Sequence, residues 1–162
     1  MTACPISIEI SVEEAEWESA LPAYEKRIEN VLSEAVNHLK DKINTSFQDA
    51  DISILLSNND HIKTLNRDYR QKDKPTNVLS FPMEGEFAHG SLGDLALGLE
   101  IIAEEAREQN KSLADHFSHL IVHGFLHLLG YDHIDDTEAE EMEALEIQIL
   151  GDMGIKNPYE AD

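Results

Sequence analysis

Apolar and polar residues alternate through residues 4–12 (CPISIEISV), with β-branched residues among them, which predicts a half-buried strand. From about residue 17 to residue 42 the rhythm changes. Leu21, Tyr24, Ile28, Val31, Leu32, Ala35, Val36 and Leu39 recur at helical spacing. Residues 51–56 (DISILL) read as a second strand. Ser57 and Asn58 then offer N-caps for a helix that carries Ile62, Leu65 and Tyr69 on one face. Pro75 closes that region, leaving residues 71–77 as a polar loop before a third strand at 78–81. Gly85, Gly90 and Gly93 punctuate the next loop, and residues 92–97 form a fourth strand.

The remainder is helical. One helix runs over about 100–111. Ser112, with Asp115 three residues on, resembles a capping box that opens the next. That helix carries Phe117, Leu120, Ile121, Phe125, Leu126 and Leu129 and is apolar around most of its circumference, so it belongs at the centre of the fold. Gly130 is its natural stop. A last helix spans about 137–150, with Met142, Leu145 and Ile149 facing inward. The expected architecture is α+β: a single domain over residues 1–162, with a roughly four-stranded sheet and a buried central helix.

Composition narrows the setting. The lone cysteine, Cys4, cannot form an internal disulfide, and no stretch approaches the roughly 20 apolar residues that span a bilayer. With no export segment in the pattern, the cytoplasm is the expected location, and no membrane partner is expected. The net charge of −21 opposes simple attraction to nucleic acid. One island runs against it. Lys63, Arg67, Arg70, Lys72 and Lys74 place five of the twelve basic residues in a 12-residue window that is net +3. The plain alternative is a solvated helix end and loop.

The central helix also carries the chemistry. His123 and His127 are four apart, which puts both imidazoles on one helical face, with Cβ atoms about 5–6 Å apart. Gly130 lets the backbone turn and bring His133 back towards the same point. Three imidazoles without an obvious fourth ligand form the pattern of a catalytic zinc site, whose open position holds water. Copper, nickel and iron share the ligand type. The alternative is three buried histidines, each satisfied by a hydrogen bond. His116 and His119 lie upstream on the more polar flank and read as surface or supporting residues. The spacing is also that of the metzincin peptidases, but Gly124 stands where those enzymes place the glutamate that activates water. A peptidase would have lost its proton acceptor.

The segment HGFLHLLGYDH (123–133) follows LNRDYRQKDKPTNVLSFP (65–82) and SLGDLAL (91–97), and is continued by HIDDTEAEEMEALEIQIL (133–150). Together these resemble the bacterial YbeY family of rRNA-maturation endoribonucleases, over most of the chain from residue 50 onward. The first 45 residues carry little specific signal. The resemblance implies an α+β fold and one zinc ion on His123, His127 and His133. It further implies single-strand-specific RNA cleavage, acting in 16S rRNA 3′-end maturation and late ribosome quality control. The family's functional arginine falls on Arg70. Implied partners are single-stranded rRNA and the small ribosomal subunit with its proteins, not DNA.

On that reading Arg70 aims a guanidinium at a phosphate, while Arg67, Lys72 and Lys74 guide the backbone past a repelling surface. Tyr69 and Tyr131 are candidates for base stacking or for core packing. Zinc would bring bound water from a pKa of about 9 to about 7. No general base stands out; Asp94 and Asp132 are carboxylates near the motifs. Three readings follow: an RNA-cleaving hydrolase, a metallopeptidase, and a non-catalytic ribosome-assembly factor whose metal pins the Gly130 turn.

Overall fold

A computed structural model describes residues 6–40, 50–82, 91–131 and 135–159. Cys4, Gly85, Gly90, Asp132 and His133 lie outside the described residues, as do the first two positions of the expected first strand. The element order is β1 (Ser7–Val12), α1 (Glu16–Ala20), α2 (Tyr24–Leu39), β2 (Asp51–Ser57), α3 (Asn59–Arg70), β3 (Val78–Pro82), β4 (Ser91–Gly98), α4 (Leu99–Glu108), α5 (Leu113–Leu128) and α6 (Asp136–Asp152). The strands form one sheet in the order β1-β2-β4-β3. β1, β2 and β4 run parallel, and β3 pairs antiparallel to β4 at the edge. The fold is α+β with a four-stranded mixed sheet, as the periodicity predicts.

One expected helix is two. The apolar rhythm runs on from residue 17 to 42, but the chain breaks between α1 and α2. Pro22 disfavours a helical conformation at the residue before it, and Leu21 takes φ −137° and ψ 74°. Ala23 then adopts φ 61° before α2 begins. The break lets Trp17 turn into the core, where its ring meets Phe117 at 5.6 Å and its indole N–H donates to the Ser57 carbonyl at 3.0 Å. The two expected caps form. Asn58 accepts from the His61 amide, and Ser112 from the Asp115 amide.

Successive strand side chains point to opposite faces of the sheet, and this sorts the helices into layers. Ile54, Leu56, Leu95 and Leu97 enter the main core with residues of α2, α5 and α6. Leu55 and Ala96 enter a smaller cluster with Ile62 and Leu65 of α3. α5 and α3 therefore cover opposite faces. α5 is apolar nearly all round because α2, α4, α6, β3 and β4 all pack against it. Gly124 sets its approach to the sheet: a Cβ there would fall 2.7 Å from Leu95 Cδ2 and 3.3 Å from Val78 Cγ2.

Candidate metal centre

α5 ends in two hydrogen bonds that reverse the chain. The Tyr131 amide donates to the Leu126 carbonyl at 3.0 Å, and the Gly130 amide to the His127 carbonyl at 3.0 Å. This is the paired bonding of a Schellman turn, and Gly130 occupies its left-handed position with φ 102°. The turn carries the Tyr131 carbonyl back over the last helical turn, where it accepts from His127 Nδ1 at 2.9 Å. A carbonyl only accepts, so the His127 proton sits on Nδ1 and Nε2 presents its lone pair.

The same logic fixes His123 from α6. Its Nδ1 donates to Glu146 Oε1 at 2.9 Å. Glu146 is completely buried, and it also accepts from His119 Nε2 at 3.1 Å and from the Tyr159 hydroxyl at 2.6 Å. Burial pushes the Glu146 carboxyl up, but these three hydrogen bonds outweigh it and hold the group at about 2. Tyr159 responds in the opposite sense: burial, then its bond to Glu146, push the phenol well above its ordinary range.

With both Nδ1 atoms engaged, the two Nε2 atoms face each other at 3.2 Å. Two ligands on one tetrahedral ion, with metal–nitrogen bonds of about 2.0–2.1 Å, stand about 3.3–3.4 Å apart. The pair could hold a metal after separating by only about 0.1–0.2 Å, and each imidazole already has the outer hydrogen bond that metal-ligating histidines make. His119, His123 and Glu146 form an adjoining group that could also hold an ion. Among the described residues one further group could do so: Glu34, His38 and Asp152, where His38 Nε2 meets Asp152 Oδ2 at 2.6 Å near the C-terminal ends of α2 and α6.

The remaining candidates fall elsewhere. His133 and Asp132 lie outside the described residues. Arg70 closes α3, exposed, in the layer across the sheet from α5. Asn66, buried on the same helix, donates to the Lys74 carbonyl at 2.9 Å and so shapes the loop that carries Lys72 and Lys74. Asp94 is exposed in a groove of about 340 Å³ with Tyr69 and Phe81, among residues of α3's side of the sheet. It is not beside the histidine pair. Tyr69 is 67% exposed, its ring edge-on to Phe81 at 5.3 Å. Tyr131 packs against the main core instead.

One expectation on α5 needs correction. His116 is not a surface residue: it is buried and bonded to Glu105 at 2.9 Å, and burial pushes its imidazole pKa down. His119 takes the supporting role, largely buried and donating to Glu146. Glu146 and Tyr159 were not among the expected site residues. A signal for the first existed, since Glu146 lies four residues after Met142 and three before Ile149, on the inward stripe of α6.

Residues 9–154 match the family described as Endoribonuclease YbeY. The chain belongs to the YbeY family. Among its relatives, the endoribonuclease YbeY of Colwellia psychrerythraea is 54% identical over 114 residues, covering 69% of this chain and 74% of the relative. That of Rhizobium etli is 42% identical over 163 residues, covering 96% and 94%. The solution structure of TM1509 from Thermotoga maritima superposes with a TM-score of 0.58 at 27% identity, covering 96% of this chain and 97% of that one. The family is one of endoribonucleases, and the resemblance drawn from the motifs holds. Among the described residues no helix is long and apolar enough to cross a membrane.

Proposed function

We propose that this protein is a metal-dependent endoribonuclease that cleaves single-stranded RNA, acting in the cytoplasm on the 3′ end of 16S rRNA and in late ribosome quality control. One zinc ion would be held by His123, His127 and His133. The observation that carries this reading is the convergence of two imidazole Nε2 atoms at 3.2 Å, in a chain of the YbeY family. When bound, such an ion supplies a Lewis acid for a phosphoryl oxygen and lowers the pKa of its water.

The protein's own residues do the rest. Glu146 and the Tyr131 carbonyl orient the two imidazoles. Arg70 offers a planar fork of donors that matches phosphate oxygens and stabilises charge growing on them. Because Arg70 and the histidine pair stand in different layers, an RNA strand touching both would pass the β3 edge of the sheet. Exposed Arg67, Lys72 and Lys74 then offset a chain of net charge −21 along that path. The peptidase reading weakens further, since position 124 faces Leu95 and Val78 of the sheet.

The net charge favours one second reading, a non-catalytic assembly factor that docks on basic proteins of the small subunit. Cleavage separates the two. Metal-loaded protein should cut single-stranded RNA from the 16S 3′ end and leave the same sequence intact in a duplex. Binding to small subunits without any cleavage, alone or with subunits present, would transfer the conclusion to the assembly factor.

A further inference from the structure

Glu146 is the one acidic side chain in the buried set among the described residues, and the chain spends three donors on it. Two of those donors, His119 and Tyr159, lie outside the histidine pair. His119 stands one helical turn before His123 on α5. Tyr159 comes from the C-terminal segment, which folds back through the Ile155 amide to the Leu150 carbonyl at 2.9 Å and through Lys111 Nζ to the Pro158 carbonyl at 3.1 Å. The rings of His119 and Tyr159 meet edge-on at 5.5 Å. Both also line a pocket of about 490 Å³, so they stand between Glu146 and solvent.

A buried carboxylate with no partners is costly, and a half-satisfied one would compete for water or swing away. Held on both oxygens, Glu146 can point in only one way. Oε2 takes the Tyr159 hydroxyl, and Oε1 is left for His119 and His123. His123 is then kept in the tautomer that carries its proton on Nδ1, with the Nε2 lone pair turned towards His127.

We propose that Glu146 is a positioning residue for the metal, and that Tyr159 makes the C-terminal segment part of the metal centre. This rests on the reading that His123 and His127 bind an ion. Loss of the Tyr159 phenolic oxygen, which bonds Glu146 Oε2, should loosen the ion.

The test is zinc affinity, measured by competition with a chromogenic chelator, for wild type, Glu146→Gln, Tyr159→Phe and His123→Ala. Thermal unfolding of each variant checks that it is folded, and nitrogen NMR of the metal-free proteins reads the His123 tautomer. Glu146→Gln should weaken zinc binding by about 10–100-fold. Tyr159→Phe should weaken it by a smaller factor, and both should mix the two His123 tautomers. If Glu146→Gln does not fold, Tyr159→Phe decides alone, because it removes a single atom from a half-exposed ring. Unchanged affinity and an unchanged tautomer in the folded variants, beside a weakened His123→Ala, would overturn the proposal and leave the metal reading standing. Wild-type affinity no better than that of His123→Ala would overturn both.

Discussion

His123 Nε2 and His127 Nε2 lie 3.2 Å apart, each turned towards the other by a hydrogen bond made at the far side of its own ring. Without a cation, two lone pairs meet or share one proton. A metal ion resolves that conflict, so zinc should stabilise the fold. At a free concentration of about 100 times Kd the gain is about 2.7 kcal/mol. For a domain of this size that corresponds to a rise in Tm of about 5–10 °C, reversed by a chelator. Differential scanning calorimetry with and without zinc checks this, and His123→Ala should show no such rise.

The Gly130 turn joins the end of α5 to the orientation of His127. A Cβ at Gly130 would meet nothing within 4 Å, so the cost of Gly130→Ala comes from the backbone alone, at φ 102°. The expected loss is about 1–2 kcal/mol in chemical unfolding. Zinc affinity should fall as well, because the Tyr131 carbonyl that fixes His127 rides on the same turn.

Arg70 should behave differently from the histidines. Arg70→Ala should keep its metal and its stability, since the side chain is exposed, while turnover falls by about 100–1,000-fold. Metal analysis beside steady-state cleavage separates the two effects. Full activity in this variant would remove Arg70 from the site.

Acid should unfold the metal-free protein partly through Glu146. Its carboxyl is held at about 2 against an ordinary 4.5, so the unfolded chain binds that proton more readily than the folded one. The stability it contributes is complete above about pH 5 and is lost as pH falls from 4.5 towards 2. The size is on the order of 3 kcal/mol. Urea unfolding at pH 6 and pH 3 should show wild type losing about 2 kcal/mol more than Glu146→Gln, the remainder going below pH 3.

The positions of the strands and helices were legible because apolar periodicity is a local property, and the two predicted caps were read from side chains that bond within four residues. What depends on long-range packing was not. The separation of α1 from α2 is the exception: Pro22 is a local signal for it, masked by an apolar rhythm that continues through the break. Strand order depends on pairings between distant segments, and it decides that Arg70 and Asp94 belong to the layer opposite α5. In the sequence Gly124 stands out only as a missing base; its packing role appears when Leu95 is seen against it. The histidine pair was legible from its spacing of four. Tyr159 was not, because nothing in its neighbourhood marks a residue that reaches back to a carboxylate on α6.

The central claim is that the histidine pair binds the ion on which RNA cleavage depends. The most direct measurement is cleavage of single-stranded rRNA by wild type and by His127→Ala, with metal content determined in both preparations. The prediction is that metal and cleavage disappear together in His127→Ala while the variant remains folded. Equal cleavage by the two proteins, or cleavage by a variant that has lost its metal, would contradict it.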